Sequence, residues 1–335
     1  MAKNYDYFNV NKARKNLQDK KDAIYNHFNI SHKIPEKLYI ECTNLCNARC
    51  SFCYYKNKAD AGFPKKFMSV DNFKKIIEQY TSIGGKHIAL TPTLADPLTD
   101  PFFKNRLEYL DSSKIKTLDF YTNLISFGPK IQQAISNYKG SLSISVSFTG
   151  FNKSMYEQFM GVDKFNIVME NIGKLATTMK GKKNLRYHII MRSYNNDKKE
   201  KADLEYRFKK SNIPFTIMYD GFDTWGGLLE EQMKADANIK IRKRLPRVGP
   251  CRVSYKKPVI TVEGNFKICD CRDVFGALEV GNVFNETIEQ IWHGQKIKDL
   301  REKFFTPEML PEVCQKCEVY DSIYLSLIHI SEPTR

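Results

Sequence analysis

Between residues 37 and 218 the chain alternates, six times over, a short apolar run with an amphipathic stretch. The apolar runs fall at 37–42, 87–90, 116–121, 142–148, 185–191 and 214–218. Each is too short for a helix and suits a pleated strand. Between the first two, Ser69 is followed by Val70, Phe73, Ile76, Ile77 and Tyr80 and then by Gly84-Gly85. This is the pattern of an N-capped amphipathic helix with a glycine stop. Further helices are expected over 101–110, 129–138, 165–179 and 199–209. Alternation of this kind builds a parallel sheet with right-handed crossovers and helices on its outside. Six units fall short of an eightfold barrel, so the expected fold is α/β, an open, TIM-like partial (β/α)6 barrel. In barrels of this type chemistry gathers at the C-terminal ends of the strands.

The loop after the first strand carries Cys46, Cys50 and Cys53, spaced C-x3-C-x2-C. Three thiolates on one loop can hold three irons of a cubane [4Fe–4S] cluster, which normally takes four. The fourth iron would keep an open coordination site. Half of a zinc site is the plainer alternative, but zinc sites usually join one close cysteine pair to a distant second pair. Three neighbouring thiols cannot pair off as disulfides. A second group, Cys251, Cys269, Cys271, Cys314 and Cys317, surrounds a hairpin expected from the runs 258–261 and 266–269 and the turn Glu263-Gly264-Asn265. By ligand type alone, four of these thiols could also hold zinc.

The triplet, with Phe52 just before its last cysteine, resembles the signature of the radical S-adenosylmethionine (SAM) superfamily. The resemblance extends over residues 36–320. It implies a SAM-binding [4Fe–4S] cluster on Cys46, Cys50 and Cys53. It also implies reductive cleavage of SAM to a 5′-deoxyadenosyl radical, and a low-potential electron donor such as flavodoxin or ferredoxin. Position by position, it implies Phe52 against the SAM adenine. Ala95-Asp96-Pro97 replaces the family's Gly-Glu-Pro, with Ala95 and Asp96 at the SAM ammonium; the missing glycine departs from the pattern. Asn123 follows strand three. Ser145 is the choice for a ribose contact among Ser143, Ser145 and Ser147, which share one strand face. Arg192, at the end of strand five, is placed to take the SAM carboxylate. The C-terminal cysteines resemble the SPASM domain and its shorter form, twitch. That implies one auxiliary [4Fe–4S] cluster on Cys251, Cys269, Cys314 and Cys317, with Cys271 left over. A full SPASM pattern would place its next cysteine at position 323, which is Ile323.

The expected organisation is a polar helical extension over 1–34, the barrel over 35–227, a linker over 228–250 and the auxiliary domain over 251–324. Residues 325–335 are similar to translated sequencing-adapter read-through and are left out of the fold reading. A hydrophobic content of 42% and a charged content of 27% describe an ordinary globular chain. There is no apolar run of membrane-spanning length and no apolar signal region. Nine cysteines then fit a reducing cytoplasm. The net charge of +15 is scattered over Lys20-Lys21, Lys182-Lys183, Lys198-Lys199 and Lys209-Lys210. It reads as solvated helix faces rather than as a nucleic-acid stripe. The expected activity is a net two-electron oxidation of a carbohydrate-like small molecule, with the auxiliary cluster accepting the second electron. Radical modification of a peptide or protein side chain is the alternative, although the stretch before strand one is short for a leader-binding fold. An RNA-directed basic iron–sulfur protein is a third reading.

Overall fold

The computed structural model describes residues 33–322 apart from 92, 193–197, 219–220, 237–238 and 245–246. The helix expected before residue 33 and the tail after 322 lie outside the described residues. Six parallel strands follow one another in sequence order across the sheet. They are β1 (Leu38–Ile40), β2 (His87–Ala89), β3 (Thr117–Thr122), β4 (Ser141–Thr149), β5 (Leu185–Arg192) and β6 (Phe215–Met218). The intervening helices are α1 (Tyr55–Asp60), α2 (Val70–Ser82), α3 (Phe103–Ser112), α4 (Pro129–Asn137), α5 (Lys153–Met160), α6 (Phe165–Met179) and α7 (Lys198–Lys210).

Burial alternates along the strands as the pleat demands. Leu118 and Phe120 of β3, and Leu142, Ile144, Val146 and Phe148 of β4, join Phe73, Ile76, Leu107, Ile135, Val168 and Ile172 of the helices in one core. Ser69 caps α2 as expected, accepting a bond from the Asn72 N–H at 3.1 Å. Helix α5 was not expected from the sequence. Asn152 caps its start by accepting from the Met155 N–H at 2.8 Å, and Gly161 ends it at φ +66°. That glycine has a second reason: a Cβ there would strike the Arg49 carbonyl.

The cysteine-rich segment joins the barrel directly. Strand β7 (Val259–Ile260) pairs parallel with β1, so the hairpin extends the barrel's own sheet. Strands β8 (Asn265–Lys267) and β9 (Glu279–Asn282) continue it antiparallel to nine strands. Strand β1 would otherwise present an unpaired edge. Instead the Tyr39 and Glu41 N–H groups donate to the Pro258 and Ile260 carbonyls at 3.0 and 2.9 Å. Residues 228–250 hold a short helix, α8 (Glu230–Lys234), and bury Leu229, Met233 and Val248. Among the described residues no helix is long and apolar enough to cross a membrane.

Candidate active site

The loop bearing Cys46, Cys50 and Cys53 leaves β1 and is tied down from three directions. The C-terminal carbonyls of α5 accept from it: Arg49 N–H to Met160 and Ser51 N–H to Phe159, both at 2.9 Å. The Leu45 carbonyl accepts from the Asp96 N–H at 2.8 Å and from Thr99 Oγ1 at 2.9 Å. Asn123 Nδ2 donates to Asn47 Oδ1 at 2.8 Å and stands 3.6 Å from Cys46 Sγ. Cys50 Sγ lies 3.8 Å from the Met160 sulfur. Burial pushes the Cys46 thiol up to about 12 and Cys53 up to about 11, with Cys50 raised as well. A bound cation would favour their thiolates.

Among the described residues one group of three offers ligand atoms within 4.8 Å of one another, Cys269, Asp270 and Cys271. Cys251, Cys269, Cys314 and Cys317 line a single cavity, walled by Val253, Ile268, Leu278 and Phe304 among others. Cys271 is not part of that lining. Its thiol instead donates to Asp270 Oδ1 at 2.9 Å.

Of the residues expected around SAM, Asn123 lies against the cysteine loop, Phe52 and Arg192 both meet Phe222, and Ser145 sits at the middle of β4; several are already engaged. Asp96 is one of these. Its carboxylate accepts from the Leu98 N–H at 2.9 Å, Thr122 Oγ1 at 3.0 Å and the Asn123 N–H at 2.6 Å, and it is 3% exposed. So bonded, it braces the end of β3 against the cysteine loop. The half-buried Ala95 backbone beside it lines a cavity of about 330 Å³ together with Glu41, Thr93 and Lys267. The Phe52 ring stacks on Phe222 at 4.5 Å, so an adenine could meet only its other face. The Arg192 guanidinium lies 5.9 Å over that same Phe222 ring.

The face of the sheet turned away from the helices is polar. Register aligns Tyr39, Ala89, Asp119, Ser143 and Arg186 in one row, and Tyr121, Ser145 and His188 in the next. Lys37 Nζ reaches across β2 to Asp119 at 2.5 Å, and His188 pairs with Thr216 Oγ1 at 2.7 Å. Full barrels fill this space with branched apolar side chains. This lining instead carries hydrogen-bonding groups, some already paired with one another. At its edge Tyr39 lies near Asp270, between Cys269 and Cys271; burial, then that carboxylate's charge, raises the phenol's pKa. Sequence reasoning missed Asp270, although its place in Cys269-Asp270-Cys271 was a visible signal.

The structure thus sets a three-cysteine loop at the strand ends of a partial barrel and a separate cavity lined by four further cysteines. The family profile of the radical SAM superfamily matches residues 40–204, and that of an iron–sulfur cluster-binding domain, SPASM, matches 251–318. This chain is thus a radical SAM superfamily enzyme with a C-terminal SPASM domain. The crystal structure of BtrN in complex with AdoMet and 2-DOIA is similar at 18% identity and a TM-score of 0.54, covering 85% of this chain and 93% of that one. Streptococcus suis SuiB bound to S-adenosylmethionine is similar at 16% identity and a TM-score of 0.60, covering 95% and 80%. Native anSMEcpe with bound AdoMet and the Cp18Cys peptide is similar at 15% and 0.57, covering 85% and 86%.

Proposed function

We propose that this enzyme oxidises a polar, hydroxyl-rich small molecule by two electrons, with the substrate held on the inner face of the barrel. The observation that carries the reading is the hydrogen-bonding lining of that face, which ends at Asp270 on the auxiliary-ligand loop. In this reading Cys46, Cys50 and Cys53 hold the SAM cluster, and Cys251, Cys269, Cys314 and Cys317 hold the auxiliary cluster. When bound, the first supplies the electron that cleaves SAM to methionine and a 5′-deoxyadenosyl radical, and the second supplies an acceptor for the substrate's other electron. A low-potential donor such as flavodoxin or ferredoxin would deliver the priming electron. The nine cysteines, none of them in a disulfide, support a cytoplasmic setting.

The rest is work for the chain's own residues. The backbone at Ala95, with Ser145, Arg192 and the free face of Phe52, orients SAM. Lys37, Asp119, Tyr121 and His188 bind substrate hydroxyl groups and replace their water. Asp270 accepts the proton that must leave as the carbon is oxidised, and Tyr39 stands near that carboxylate. Because Asp270 adjoins Cys269, proton and electron leave the substrate toward the same loop.

The test is Asp270→Asn. A positioned base typically contributes about 10²–10⁴-fold. Substrate-triggered release of 5′-deoxyadenosine should persist while oxidised product falls by about that factor. Full product formation by the variant would remove Asp270 from the mechanism. A second reading, oxidation of a peptide side chain, is supported by the peptide-bound structures of SuiB and anSMEcpe. Panels of polyols and aminocyclitols against short peptides, scored by triggered 5′-deoxyadenosine release, separate the two.

A further inference from the structure

An unbroken run of contacts joins the two cysteine sets. Arg272 lines the cavity of Cys251, Cys269, Cys314 and Cys317. Its guanidinium stands 4.5 Å from the Trp225 ring centroid. Trp225 Nε1 donates to the Phe52 carbonyl at 2.9 Å, and Phe52 adjoins Cys53. Asp223 grips Arg272 with both carboxylate oxygens, one bond measuring 2.6 Å, and Arg272 Nη1 donates to the Cys271 carbonyl at 2.7 Å.

Trp225 packs in a core cluster with Phe222, Leu229 and Met233, but ion-pair stability does not account for the rest of the arrangement. The Arg272 and Asp223 side chains are 17% and 4% exposed, and a buried ion pair is weak evidence of net stabilisation. Trp225 sits at φ +58°, where a bulky side chain is a genuine outlier, and Gly226 and Gly227 follow at +67° and +95°. Strain of that kind is kept where the surroundings over-determine it, often for function. Here it turns the indole between Phe52 and Arg272.

We infer that Trp225 and Arg272 couple the two clusters. The inference rests on reading both cysteine sets as cluster ligands. Arg272 is a permanent cation in the wall of the auxiliary cavity. It stabilises the added negative charge of a reduced cluster and raises its potential, while Asp223, paired with the guanidinium, opposes it. Trp225 supplies a bonded route from that wall to the SAM-cluster loop. The electron count gives the route a purpose. One electron is spent cleaving the SAM cation. The substrate gives up a hydrogen atom to the deoxyadenosyl radical, then one proton and one electron. If that electron returns, SAM and substrate yield methionine, 5′-deoxyadenosine, oxidised substrate and one proton, with no further reductant.

The test uses reconstituted full-length protein, with iron counted first and each cluster's midpoint potential then read by redox-titrated EPR. Arg272→Gln should lower the auxiliary potential by at least a tenfold change in the reduced-to-oxidised ratio, 59 mV for a one-electron couple. Asp223→Asn should raise it, and Arg272→Lys should stay near wild type. Trp225→Phe, which loses the bond to Phe52 and keeps an aromatic ring beside Arg272, should leave both potentials in place and lower the number of turnovers per priming electron toward one. Unchanged potentials in variants holding both clusters, or shifts of the same sign for Arg272→Gln and Asp223→Asn, overturn the electrostatic coupling. Unchanged turnovers per electron in Trp225→Phe overturn the route. If Arg272→Gln fails to assemble, Asp223→Asn alone decides by the sign of its shift. Failure of the cluster reading looks different: half the iron, with zinc in the second set of wild-type protein.

Discussion

Asp96→Ala isolates the brace between β3 and the cysteine loop. The native carboxylate satisfies two buried backbone donors, the Leu98 and Asn123 N–H groups, and the Thr122 hydroxyl. Alanine leaves the two N–H groups with no acceptor, since the site is too enclosed to admit bulk water. An orphaned buried donor costs about 1–3 kcal/mol, so the pair costs about 2–6 kcal/mol. Against a total stability of about 5–15 kcal/mol this is a large fraction. The damage should be local before it is global. The Asn123 N–H is the anchor of the turn whose side chain reaches Cys46 and Asn47. Reconstituted Asp96→Ala should therefore lose iron from the SAM cluster before it loses iron from the auxiliary cluster. Thr122→Val is the comparison: it leaves both N–H bonds to Asp96 but strips the buried Leu124 N–H of its acceptor, so it should cost about 1–3 kcal/mol and spare the Asn123 anchor. The assays are urea unfolding of the metal-free chain and iron analysis of the reconstituted one. A stability change under about 0.5 kcal/mol, with iron retained in both clusters, would refute the brace, because surface-like substitutions behave that way.

The remaining outcomes concern the cysteines. Reconstituted wild-type protein should hold about eight irons, and the combined Cys46, Cys50 and Cys53 to Ala variant about half, read by iron and sulfide analysis. Cys271→Ser should keep the full iron content, while Cys269→Ser should lose the auxiliary share. Equal losses from the two would place Cys271 among the ligands.

Much of the barrel was legible because its cause is local. Helix α6 runs Phe165–Met179, the span its periodicity predicts, and β4 alternates serine with Leu, Ile, Val and Phe along its whole length. Helix α5 escaped because eight residues carry too little periodicity to rise above noise, although Asn152 and Gly161 mark its two ends. Strand β9 escaped for a similar reason, since Glu279–Asn282 has no alternation to read. The Cys46, Cys50 and Cys53 spacing was legible because a cluster needs its ligands on one short loop.

By itself, then, the sequence determined what depends on neighbours along the chain: six strand–helix units, the three-thiolate loop after the first, and two cysteine groups instead of one. The tertiary structure alone decided what those residues do for one another. It paired β1 with β7 across more than two hundred residues and so made the auxiliary hairpin part of the barrel sheet. It also surrounded Asp96 with donors from β3. And it set Asp270 beside Tyr39 and Arg272 over Trp225. A charged side chain means nothing chemically until its partners are known, and partners distant in sequence leave no local pattern to read.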